Sequence, residues 1–245
     1  MTRGFLLLMA VVIAAGMGYA GDKPAAFESV FRHEHFFLVW NDGKESPKFT
    51  LVSKQFGKYP DGLTYQVIDA ESKVLAEGQI PYDAKRDVSQ LPLSPKYLVA
   101  ADPGMNGMTL ATDRPYGIVG GKLHPLGLNH PIGRLFLYVP ADCAEFTIVA
   151  SSASPREGGW VKVLRPDGQL AGEAEGEMDN DTLIKIAVAE DDRGKVWAVE
   201  FDKPKTEGVG LDDLNLCVEG KLAPLFIPKK EWAERYGKTV KVGEK

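Results

Sequence analysis

The chain has 245 residues, with 34 acidic against 29 basic side chains and a formal net charge of −5, a balance that argues against nucleic acid as a partner. Hydrophobic residues make up 44%, enough for a packed core, whereas four histidines and two cysteines leave little material for a metal cage or a redox pair. The sequence contains no GxSxG elbow, P-loop, HExxH helix or paired CxxC, so the common hydrolase, nucleotide and zinc chemistries have no local signature.

Residues 1–20 read as a secretory signal. Arg3 supplies a positive start, Phe5–Ala15 is an apolar run too short to span a bilayer, and Gly18-Tyr19-Ala20 offers small residues at a cleavage site. The expected product is secreted or periplasmic, with no membrane span after cleavage; an uncleaved anchor is the alternative. Past the leader, Ser29–Phe36 is short and ambiguous between helix and strand. Within it His33 and His35 flank Glu34, where strand alternation would point both imidazoles to one face.

From here on the chain repeats itself. HFFLVW (His35–Trp40) is answered by RLFLYV (Arg134–Val139), and KFTLVS (Lys48–Ser53) by EFTIVA (Glu145–Ala150). Tyr65–Glu77 runs against Val161–Glu173, YLVAAD (Tyr97–Asp102) against WAVEFD (Trp197–Asp202), and GKLHPL (Gly121–Leu126) against GKLAPL (Gly220–Leu225). Five matches in order, each at a spacing close to 100 residues, exceed a solenoid period and fit a duplicated domain. Nearly every match falls on a short apolar alternation bounded by Gly, Pro, Asp or Asn. The expected fold is therefore all-β: two tandem antiparallel β-sandwich, jelly-roll-like domains with a short C-terminal helix. The boundaries read as 27–123 for the first domain, 124–133 for a connector, 134–227 for the second domain and 228–245 for a helix and tail.

Within the first copy, Val67–Leu75 forms a hairpin whose counterpart is Val163–Ala171. There Pro166, Asp167 and Gly168 set a tight turn, and Ser72 stands where the glycine would be, which predicts a looser turn in the first copy. His124 and His130 fall in the connector and are candidates for an interdomain contact. In the second copy Phe146 and Ile148 share a face, as do Ile184, Ile186 and Val188, and Trp197, Val199 and Phe201. Cys143 and Cys217 lie in the same copy, which in an oxidising compartment predicts a disulfide. At the end, Pro228–Gly237 has proline in the first turn, glycine past the last, and Trp232 and Tyr236 on one face, predicting a helix docked on the second domain.

Three features bear on function. Trp160 follows Gly158-Gly159 at a loop-to-strand junction, and its counterpart is Thr64, so the shared fold does not require it. An exposed indole there could stack on a sugar, with Arg156 and Glu157 as hydrogen-bonding partners. Glu173, Glu175, Glu177, Asp179 and Asp181 alternate strictly, which on an extended strand sets five carboxylates on one face and makes calcium a possible ligand. A solvated sheet edge explains the same row, and no other cofactor is indicated.

The run Arg134–Ser152, the Pro166-Asp167-Gly168 hairpin and the Trp197 strand resemble secreted bacterial β-sandwich modules of the pre-peptidase C-terminal and jelly-roll type. That resemblance implies an accessory module for binding, spacing or secretion, usually attached to an enzyme. The expected function is a secreted non-catalytic protein that binds a glycan or a cell-surface protein. An extracellular polysaccharide-acting enzyme with carboxylates between the domains is one alternative, and a structural or assembly protein is the other.

Overall fold

The computed structural model describes residues 27–43 and 45–240; the leader read from residues 1–20 and the last five residues of the tail lie outside the described residues. In chain order the strands are β1 (Glu28–Arg32), β2 (His35–Trp40), β3 (Phe49–Lys54), β4 (Leu63–Ile68), β5 (Val74–Ile80), β6 (Lys85–Val88), β7 (Lys96–Asp102), β8 (Gly107–Thr112) and β9 (Tyr116–Val119). They continue as β10 (Leu126–Val139), β11 (Glu145–Ser151), β12 (Glu157–Leu164), β13 (Leu170–Glu177), β14 (Thr182–Ala187), β15 (Lys195–Asp202), β16 (Gly210–Leu211), β17 (Asp213–Gly220) and β18 (Leu225–Phe226), before helix α1 (Lys230–Tyr236). The protein is all-β, built from two sheets whose pairings are antiparallel except for the short β12–β16 contact.

Both halves use the same strand order. One layer reads β6-β3-β8-β1 in the first half and β14-β11-β17-β10 in the second; the facing layer reads β5-β4-β7-β2 and β13-β12-β15-β10, the last of these joined to the first layer through β10. The halves meet edge to edge, through β1 on β10 in one layer and β9 on β18 in the other. β10 serves both layers: Leu126–Asn129 pairs with β17, and Gly133–Val139 pairs with β15. It changes layer where His130 and Gly133 take positive φ, as strands do when they turn a sandwich corner. One apolar core fills the space between the layers and contains residues of both halves, among them Phe37, Tyr97, Leu135 and Trp197.

Several local expectations change once strands are paired. Ser29–Phe36 is two strands, not a helix, because β1 and β2 each find a ladder partner. His33 separates them at φ 67°, which breaks the alternation, so His35 turns into the core (1% exposed) while His33 stays outside. The segment read as a connector is mostly strand, since Leu126–Gly133 is the first half of β10. The first-copy hairpin is no looser than its sister. Ser72 adopts φ 66° beside the φ 86° of Gly168, and both turns close with the same pair of backbone bonds. Asp69 enforces this strained turn by accepting from the Glu71 and Lys73 amides, both at 2.9 Å.

The predicted disulfide is absent: Cys143 and Cys217 are both free and buried. Cys217 lies opposite Val149 on the β11–β17 ladder, and Cys143 lies beyond Phe146. The ladder from Val149 to Phe146 alone spans about 10 Å, past the ~7 Å that a disulfide tolerates. Burial pushes both thiols up, so neither is an activated thiolate. Helix α1 forms as expected but covers the seam rather than one half. Tyr236 stacks on Trp40 at 4.8 Å, Trp232 meets Tyr116 at 5.8 Å, and the same cluster includes Phe136, Tyr138 and Val196. The Tyr236 hydroxyl and Arg235 both bind Asp42, fastening the C-terminal segment to the first half.

Candidate functional site

Corresponding outward faces of the two halves carry very different side chains. In the second half, Arg134, Glu200, Lys162 and Glu173 stand on one cross-strand row over β10, β15, β12 and β13. The adjacent row is Asp202, Trp160 and Glu175. Opposite charges alternate across the first row, and they close into ion pairs: Glu200 binds both Arg134 and Lys162, and Lys162 also reaches Asp202 at 3.7 Å.

Trp160 is the centre of this patch. Its indole N–H donates to Glu173 at 2.7 Å. The Lys162 ammonium sits 3.5 Å from the ring centroid and the Lys205 ammonium 3.6 Å from it. The indole is thus contacted by two of the protein's own lysines in cation–π contacts. Lys205 arrives on the long segment between β15 and β17, which Glu175 anchors by accepting from the Lys205 and Thr206 amides at 2.5 and 2.8 Å.

The same two rows in the first half are Phe36, Ala100, Gln66 and Glu77, then Asp102, Thr64 and Gln79. Thr64 replaces the indole, Gln66 replaces Lys162, and the β7–β8 link is only Pro103–Asn106, too short to deliver a residue like Lys205. What remains is an open groove of about 490 Å³ lined by Glu34, Thr64, Gln66, Glu77, Gln79 and Asp102, with the β4 and β5 backbone as its floor. The Gln66 amide donates to Glu77 at 3.1 Å, and the Asp102 carboxylate accepts from the Gly104 amide at 2.8 Å. At the rim, His124 packs edge-on against Phe36 at 4.7 Å and lies 3.7 Å from Glu34.

The other predicted site residues fall apart from one another. Glu157 is an odd number of positions from Trp160 on β12 and points to the opposite side, toward the junction of the halves. There it approaches Asp212 and Asp213, while Arg32 binds Asp213 and Asn129 donates to both aspartates. Desolvation, and then the negative charge of Asp212 and Asp213, pushes the Glu157 carboxyl up. Arg156 takes φ 62° and its amide donates to Glu177 at 2.6 Å. His130 lies 3.9 Å from Asp212 and 2.8 Å from the Asn129 side chain.

The acid row is divided among separate partners. Glu173 serves Trp160, Glu175 the Lys205–Thr206 amides, and Glu177 the Arg156 amide, while Asp179 and Asp181 lie past the end of β13. Desolvation and the neighbouring Glu177 raise the Asp179 carboxyl. Among the described residues no group of three or more His, Cys, Asp or Glu side chains is placed to hold a metal ion. No helix among them is long and apolar enough to cross a membrane.

Reading the sequence for a conspicuous residue led to Trp160 and passed over Thr64, Gln66, Glu77, Gln79 and Asp102. The signal that could have found them was in the repeat itself: Thr64 under Trp160, and a shorter link after Asp102 than after Asp202. A gap left by a small residue is harder to see than the large residue opposite it. Comparison with protein-family models, with curated proteins and with solved structures gives no match.

Proposed function

We propose that the protein is an exported, non-catalytic binding module that takes an extracellular glycan in the groove over β7, β4 and β5. The observation that carries this reading is the contrast between equivalent faces: Trp160, Lys162 and Lys205 fill the patch in the second half, and the first half leaves it open. Side-chain amides, a hydroxyl and carboxylates on one sheet face supply hydrogen-bond donors and acceptors of the kind that sugar hydroxyls use. The like strand order supports the idea that one ancestral unit was copied, with one copy filled for stability and the other kept for binding. The resemblance to accessory sandwich modules and the leader-like N-terminus point the same way.

The test is a glycan array probed with the mature chain and two variants. Thr64→Trp places the sister residue in the groove and is expected to reduce the signal about tenfold or more. Trp160→Ala, which leaves the groove untouched, is expected to retain it. Binding that survives Thr64→Trp and disappears with Trp160→Ala would move the site to the second half.

A second reading, polysaccharide hydrolysis at the junction of the halves, has one observation in its favour. Burial, and then the charges of Asp212 and Asp213, push the Glu157 carboxyl above its ordinary value, the direction a general acid near a second carboxylate needs. Release of reducing ends from a polysaccharide by the wild type, lost in Glu157→Gln, would favour that reading over binding alone.

A further inference from the structure

The loops at one end of the first half carry apolar side chains that the fold does not ask for. The β3–β4, β5–β6 and β7–β8 links all lie at that end, because Leu63 pairs with Ile80, Thr64 with Asp102 and Lys54 with Gly107. Tyr59, Tyr82 and Met105 stand on these three links and are 42%, 47% and 41% exposed. The two tyrosines are the only exposed aromatic rings among the described residues. The counterpart links in the second half, residues 152–156, 178–181 and 203–209, contain no aromatic residue, and Met178 there is buried. The shared architecture therefore does not require these rings, and leaving three apolar side chains in water at one end forgoes the stabilisation that burial would give.

The backbone under each tip is fixed. Asn106 is fully buried, and its side-chain amide donates to the Tyr59 and Asp61 carbonyls at 3.1 and 2.6 Å while its Oδ1 accepts from the Phe56 amide at 2.8 Å. The Asp83 carboxylate accepts from the Gln55 amide at 2.9 Å, and the Arg32 guanidinium donates to the Met105 carbonyl at 2.9 Å. This end is also where the groove stops. Its last row is Asp102, Thr64 and Gln79, and Tyr82 follows Gln79 closely enough in the chain that their Cα atoms lie within about 10 Å.

We infer that the tyrosine tips extend the groove into a site for a linear oligosaccharide of pyranose rings with equatorial hydroxyls. The first rings hydrogen-bond in the groove and the following ones stack on Tyr59 and Tyr82; the inference rests on the groove being the glycan site. Equatorial hydroxyls leave C–H groups on both faces of a sugar ring, and an aromatic face covers them while the hydroxyls at the ring edge stay in water. Tyrosine suits this contact, since it offers a large flat surface and only two side-chain torsions to order. The groove's polar groups read one or two sugars, and the stacking surface reads the length of the chain.

Titration calorimetry with cellobiose and cellohexaose tests this. The double variant Tyr59→Ala, Tyr82→Ala is expected to bind cellohexaose about tenfold more weakly than the wild type, with a much smaller loss for cellobiose. Val74→Ala removes a side chain of similar exposure (44%) from the far end of β5 and should bind both as the wild type does. All three side chains are exposed, so the thermal midpoints should stay near that of the wild type. Equal cellohexaose affinity in the wild type and the tyrosine variant, with both oligomers lost in Thr64→Trp, would overturn the stacking surface and leave the groove standing. Cellohexaose binding undiminished by Thr64→Trp would overturn the groove together with its extension. Failure of the wild type to bind cellohexaose would overturn the proposed class of ligand.

Discussion

As the pH falls from 6.5 to 4, the protein is expected to lose about 3 kcal/mol of stability through His35 alone. The side chain is 1% exposed at the seam between the halves, among Phe31 and Phe37. The Gly127 amide donates to its Nε2 at 3.1 Å, so Nε2 must be unprotonated; Nδ1 then carries the hydrogen and donates to the His33 carbonyl at 2.9 Å. A second proton would have to displace the Gly127 bond inside an apolar site. Burial, the dominant cause, therefore lowers its pKa from 6.5 to about 4, and the hydrogen bond to the His33 carbonyl, with a smaller contribution from Asp102, only partly offsets this. The sign follows from proton counting. Between the two values the unfolded chain binds a proton that the folded chain refuses, so stability is complete above pH 6.5 and is lost progressively down to about pH 4. The slope approaches about 1.4 kcal/mol per pH unit and is best read above pH 5, before most carboxylates titrate. Denaturant unfolding across that range, compared with His35→Gln, checks it. The variant should be less stable at neutral pH and show a flatter profile; a parallel profile would mean that His35 is not buried neutral.

Gly158→Ala is expected to be more damaging than any surface change, by about 3 kcal/mol. A Cβ at Gly158 would stand 1.9 Å from the Gly176 carbonyl oxygen, a backbone atom on the paired strand that cannot swing aside. The sister glycine tells the same story: at Gly62 the added carbon would lie 2.3 Å from the Ile80 carbonyl. In each half, then, the strand that carries Trp160 or Thr64 begins with a close approach of two backbones. Gly168→Ala supplies the contrast, since its φ is 86° but nothing lies within 4 Å of the added carbon, and the cost there is only the left-handed conformation, about 1 kcal/mol. Chemical denaturation of the three variants should rank them Gly158, Gly62, Gly168 in decreasing damage. Equal losses at Gly158 and Gly168 would show that the β12–β13 approach is not as tight as described.

The legibility of this protein follows the range of the forces involved. Alternation along a single strand is local, so the inward faces of Phe146 and Ile148, of Ile184, Ile186 and Val188, and of Trp197, Val199 and Phe201 could be read directly, and all are buried. The terminal helix was legible from its proline, its glycine and the Trp232–Tyr236 spacing. Registration between strands was not. The match of His35–Trp40 to Arg134–Val139 sets Phe37 beside Phe136, yet the ladders place Phe37 and Leu135 in the same position, opposite Val99 and Val199. A shift of one residue reverses every side chain on a strand, and resemblance between two apolar runs cannot detect it.

Sequence alone determined the all-β character and the terminal helix, because propensity, alternation and turn chemistry act between near neighbours. Tertiary structure alone decided the rest: that Cys143 and Cys217 stay apart, that His35 is sealed at a seam, and that Trp160 is clasped by lysines while its sister position lies open. Each of these depends on which residues meet across a ladder and on how long the links between strands are. Such meetings are fixed only when both sheets close on a common core.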